Sequence, residues 1–104
     1  MIIQINTDKT LNGDSKMQEY FTSEIEEALK RHETHITRIE VHLKDENKNE
    51  EGLNELSCML EARLKGRKPI AITNSAASIE VALSGALTKT ETAIETILGR
   101  IQSY

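Results

Sequence analysis

Apolar and polar residues alternate in the first segment and again through the middle of the chain. In "MIIQIN", Ile3 and Ile5 share one side and Gln4 and Asn6 the other, which predicts a short first strand. "TDKTLNGD" has no period and contains an Asn-Gly pair, so it reads as a loop. The period then lengthens. Met17, Tyr20, Phe21, Ile25, Ala28 and Leu29 recur every three or four residues, with Asp14 or Ser15 placed to cap that helix. From Ile36 the period returns to two. Thr37, Ile39, Val41 and Leu43 alternate with Arg38, Glu40, His42 and Lys44. "ENKNEEGLNE" is polar and charged, a second loop. "LSCMLEARLK" then turns Leu56, Cys58, Leu60, Ala62 and Leu64 to one side.

Gly66-Arg67 stands where a two-residue hairpin turn needs a glycine, and "KPIAITN" returns with Ile70 and Ile72 inward. Pro69 cannot donate to a ladder, so it belongs at a strand start or an edge. The remainder is helical, capped by Asn74 or Ser75. Ile79, Ala82, Leu83, Ala86, Leu87, Ala93, Ile94, Ile97, Leu98 and Ile101 form its stripe. Gly85 weakens its interior by about 1 kcal/mol relative to Ala, and Gly99 is expected to end it. The order is βαβββα. It predicts an α+β fold with two helices packed on one face of a four-stranded mixed sheet. The first two strands are expected to be parallel through the helical crossover, and the last three antiparallel.

Composition narrows the function classes. The chain has 104 residues, which fits one domain, and a formal net charge of −4, so any affinity for phosphates must come from a local patch. Aromatic residues make up 3% and tryptophan is absent, which leaves little for a base-stacking platform. The single cysteine, Cys58, has no internal disulfide partner and suits a reducing compartment. Met1 is followed by alternating residues rather than a cationic end and an apolar block. A cytoplasmic location without membrane contact is expected.

The segments "KMQEYFTSEIEEALKRHETHIT", "RIEVHLKDE" and "CMLEARLKGRKPIAITNSAASIEVAL", in that order, resemble the ribosome hibernation-promoting factors. That family includes the ribosome-associated inhibitors once named sigma-factor modulation proteins. The likeness spans nearly the whole chain. It rests on the "EYF" turn of the first helix, "THITRIEVHL" entering the second strand, and the hairpin leading into a helix that starts with small residues. The similarity is to the short type, without an added dimerisation domain, and implies one hibernation-factor-like domain over residues 1–104. It further implies a stress-response factor that occupies the messenger and transfer RNA channel of the small ribosomal subunit and inhibits translation. Recognition would run through phosphates and the shape of folded rRNA. Typical members carry a basic run along the second helix. Here Lys89 and Arg100 are the only cations of "SGALTKTETAIETILGR", opposed by Glu91 and Glu95. The Gly- and His-rich first loop of the family is replaced by "NTDKTLNGD".

Charge supplies the candidate site. Four of the thirteen Lys and Arg residues, Arg63, Lys65, Arg67 and Lys68, surround Gly66. Arg38 and Lys44 point outward from the neighbouring strand, and Lys30 and Arg31 close the first helix. With Lys89 and Arg100, these are the expected RNA-binding residues. An opposing reading has the lysines keep an open sheet from pairing edge to edge, and Lys30 and Arg31 merely suit a helix C-terminus. Glu40 and Glu61 are also positioned to pair with the cations and cancel the patch. A second functional class follows from that reading. It is a divergent, non-ribosomal interaction domain that binds a protein partner or itself through the open sheet or acidic helix faces.

Other chemistries find little support. His32, His35, His42 and Cys58 are the conceivable metal ligands, but His42 is expected outward and Cys58 inward, so one tetrahedral site is not expected. Cys58 lies among apolar neighbours and reads as a small buried hydrophobe rather than a nucleophile. Gly66 and Gly85 stand alone, so no phosphate loop is formed. "SAAS" at a helix start reads as a cap with small packing residues. The sequence predicts no enzyme, cofactor or small-molecule substrate.

Overall fold

A computed structural model describes residues 1–8, 15–45 and 55–102, with backbone only for 100–102. The elements are β1 (Ile2–Thr7), α1 (Ser15–Leu29), a 3₁₀ stretch (Lys30–His35), β2 (Ile36–Asp45), β3 (Leu56–Leu64), β4 (Ile70–Ala76) and α2 (Ile79–Gln102). Asp14 and both expected loop centres, residues 9–14 and 46–54, lie outside the described residues. The sheet order is β1-β2-β3-β4. β1 runs parallel to β2, and the other two pairings are antiparallel, as the connections predict.

The period-two pattern fixes which side is covered. Ile39, Val41 and Leu43 of β2 join Cys58, Leu60, Ala62 and Leu64 of β3 in one buried cluster. Phe21, Ile25 and Leu29 of α1 cover them, with Ile79, Ala82, Leu83, Ala86, Leu87 and Ile94 of α2. Both helices therefore sit on one face and leave the other to solvent. Thr90 completes the α2 stripe. It is fully buried, and its hydroxyl donates to the Ala86 carbonyl at 2.8 Å, so the polar atom is satisfied.

Four local expectations need correction. Thr37 is exposed and Ile36 is buried in its place, because the β2–β3 register shifts between Ile36 and Arg38. The irregularity turns Thr37 outward, and its hydroxyl donates to the Arg63 carbonyl at 3.1 Å. Asn74 and Ser75 belong to β4 and do not cap α2. Ser78 does, its Oγ accepting the Val81 N–H at 3.2 Å. Gly99 does not end α2, which continues to Gln102.

The hairpin is not a two-residue turn around Gly66-Arg67. The Arg67 N–H donates to the Leu64 carbonyl at 3.3 Å, so Lys65 and Gly66 occupy the centre of a four-residue turn. Gly66 has φ +67°, a conformation that glycine adopts without strain.

Gly85 has a packing reason. A Cβ there would stand 2.2 Å from Nδ2 of Asn74. That amide donates to the Ala82 carbonyl at 3.1 Å, tying β4 to the first turns of α2. The helix propensity lost at Gly85 makes room for this bond.

Candidate nucleic-acid interface

The outer face of the sheet places like charges directly opposite one another. Arg38 pairs in register with Arg63, and Glu40 with Glu61. Such an arrangement is unfavourable unless each charge finds an opposite partner. The partners come along the strands, not across them. Arg38 Nε donates to Glu40 Oε2 at 3.2 Å, and Arg63 Nε donates to Glu61 Oε1 at 3.2 Å. Arg38 also donates to the Gln4 side-chain oxygen on β1. His42 Nε2 lies 3.4 Å from the other Glu40 oxygen. The hydrogen bond from Arg38 holds the Glu40 carboxyl below its usual range. The charges of Arg38 and His42 assist, against a partial loss of hydration. Two arginines and two carboxylates thus form a patch with no net charge.

Arg31 is likewise engaged. Its guanidinium donates to Glu91 at 3.0 Å and Glu95 at 2.5 Å, bridging the 3₁₀ stretch to α2. His32 Nε2 stands 3.6 Å from Glu95. His32, Glu91 and Glu95 have ligand atoms within 4.8 Å of one another. Arg31 already supplies the positive charge that these carboxylates attract, so the cluster reads as an ion-pair network. Of the four conceivable metal ligands, Cys58 is buried in the core and His42 lies on the outer face of the sheet, so the described structure does not bring the four together. Burial pushes the Cys58 thiol up to about 12, which leaves it protonated and unreactive.

The turn differs from both regions. Lys65, Arg67 and Lys68 are exposed and form no ion pair with any described residue. The Lys65 N–H donates to the His35 carbonyl at 3.0 Å, fixing the turn against the start of β2. Arg38 and Arg63 border this end of the sheet. Lys44 lies six residues along β2, roughly 20 Å from Arg38, at the opposite end. Lys30 is exposed at the start of the 3₁₀ stretch. Lys89 is exposed on α2, with its ammonium 3.5 Å from the Thr73 carbonyl of β4. Arg100 lies where only the backbone is described. The structure thus brings Lys65, Arg67 and Lys68 together, sets paired Arg38 and Arg63 beside them, and leaves Lys44 apart.

No family model and no curated protein matches the chain. Solved structures do. The N-terminal domain of Thermus thermophilus Protein Y superposes with a TM-score of 0.73 at 14% identity, covering 93% of this chain and 99% of that domain. A ribosomal subunit interface protein from Coxiella burnetii gives 0.72 at 17%, covering 95% and 99%. At these identities the likeness shows a shared fold. Among the described residues, no helix is long and apolar enough to cross a membrane.

A groove between the helices was not anticipated from the sequence. It is lined by Tyr20, Phe21 and Glu24 of α1 and by Glu80, Val81 and Leu87 of α2, among others. Tyr20, an exposed member of the α1 stripe, was a signal of it, while Val81 lies off the α2 stripe.

Proposed function

We propose that this chain is a ribosome-associated hibernation factor of the short type, a binding module rather than an enzyme, working in the cytoplasm. It docks on rRNA of the small ribosomal subunit and holds translation off. The observation that carries this reading is the trio Lys65, Arg67 and Lys68, cations without an ion-pair partner among the described residues, on a turn fixed by Gly66. They can neutralise phosphates without first breaking an internal ion pair. The fold it shares with a ribosomal subunit interface protein adds support. Arg38 and Arg63 contribute in a second tier and weakly, since Glu40 and Glu61 hold their charges within the sheet. Lys30, Arg31, Lys89 and Arg100 border the helical side, and Lys44 contributes least because it is remote. The acidic residues of α2 turn that helix away from the polyanion.

Co-sedimentation with purified small subunits tests the proposal. The protein is expected to pellet with them at 50 mM salt and to be released as salt rises toward 200 mM, with no equivalent pelleting with a globular acidic protein of similar mass. Recovery of the wild type in the supernatant at the lower salt would remove the ribosomal reading.

A further inference from the structure

The groove between α1 and α2 has a volume of about 400 Å³. That is at the small end of the range for ligand pockets and accommodates a few side chains. Phe21, Leu83 and Leu87 are buried and form its floor. Tyr20 and Val81 form its walls and remain 53% and 59% exposed, although most large apolar groups of the domain are covered. The lining also contains Glu24, Glu80 and Glu91 and no lysine or arginine. Arg31 engages Glu91 from outside the groove, which leaves Glu24 and Glu80 as the carboxylates without a cationic partner among the described residues. Hydrogen bonding to Glu24, then the charge of Glu24, raises the Tyr20 phenol above its ordinary value, with burial and Glu80 adding to it. The wall of the groove therefore stands in a negative field.

An apolar slot with an acidic rim selects against phosphates and against acidic peptides, and selects for cations that carry apolar neighbours. We propose that this groove docks a partner protein segment in which one or two aliphatic side chains are flanked by lysine or arginine. The aliphatic groups enter between Tyr20 and Val81, and the cations meet Glu24 and Glu80. A second copy of this chain is the less suitable occupant, since its net charge of −4 opposes approach to an acidic rim. The proposal does not depend on RNA binding by the turn, and it gives the molecule two docking surfaces of opposite sign.

The test uses two short labelled peptides with the same lysines, one carrying leucines at helical spacing and the other serines in their place. Fluorescence anisotropy should show the leucine peptide saturating at one per chain, and the serine peptide binding at least tenfold more weakly. Val81→Ser should cost the leucine peptide about tenfold, the apolar contact of one side chain. Glu24→Gln with Glu80→Gln should cost a few-fold at low salt and much less at high salt. Both sites are on the surface, and circular dichroism of each variant checks that the fold is kept. Lys65→Glu with Lys68→Glu should leave peptide binding unchanged, which separates this surface from the turn. Equal binding of the two peptides, or indifference to Val81→Ser, would overturn the proposal. So would a concentration-dependent dimer that Val81→Ser abolishes, since the occupant would then be a second copy.

Discussion

Arg63 and Lys65 stand two residues apart, carry the same charge and border the same turn. Arg63 is bound to Glu61 at 3.2 Å, and its in-register neighbour Arg38 is bound to Glu40. Lys65 has its backbone tied to the His35 carbonyl, and among the described residues its side chain has no ion-pair partner. The difference comes from position in the sheet. A residue inside the β2–β3 ladder has side chains two positions away on its own face, and here those are carboxylates. A residue on the turn leaves the ladder and loses them. A count of cations therefore overstates the positive field over the strands and is nearly right over the turn. Exposed ion pairs like these stabilise the fold little, about 0–1 kcal/mol, but they determine which charges remain for a ligand.

Changes at the turn should have the largest effect. Reversing all three cations, Lys65→Glu, Arg67→Glu and Lys68→Glu, is expected to lower small-subunit affinity at low salt by a few tens of fold, the scale set by three phosphate contacts. Equilibrium binding of labelled protein checks it. The next effect concerns shape. Gly66→Ala places a side chain at φ +67° with open space around it, so strain is the only cost. It should destabilise the domain by about 1 kcal/mol in urea unfolding and weaken binding several-fold by displacing the cations.

Releasing the outer face is a smaller change in the other direction. Glu40→Gln with Glu61→Gln frees Arg38 and Arg63 and should raise affinity a few-fold at low salt. No gain would mean that the sheet face stays off the RNA. The smallest effect is a titration. NMR should find the Glu40 carboxyl below 4.5, the ordinary value, and Arg38→Gln should move it up. The sign follows from the lowered value. The ion pair contributes fully above the ordinary carboxylate range, and its contribution fades as pH falls through the Glu40 midpoint.

The fold was legible because period and burial agree along nearly every element. Ile39, Val41 and Leu43 could alternate inward only in one register. Where the reading missed, local geometry had intervened. The register shift beside Ile36 exchanged it with Thr37, and Ser78 rather than Asn74 received the cap because β4 runs two residues farther. Gly85 looked like a weak point, since the side chain that fills its space is eleven residues back on another element.

The candidate site was legible in part. The cluster around Gly66 is contiguous in sequence, so its proximity needed no fold. Its division into free and bound charges did need one. Arg31 meets Glu91 and Glu95 across sixty residues and more, and no local pattern announces that contact. The groove was hidden for the same reason, because each helix shows its own stripe but not the gap between two of them.

Salt dependence of small-subunit binding tests the central claim most directly, compared between two neutralised variants. Lys65→Gln, Arg67→Gln and Lys68→Gln together should flatten the plot of log affinity against log salt by roughly two to three units. Arg38→Gln with Arg63→Gln should change the slope by less than about half a unit, since those charges are already neutralised within the sheet. Equal flattening by the two sets, or a larger change from the sheet-face pair, would contradict the account.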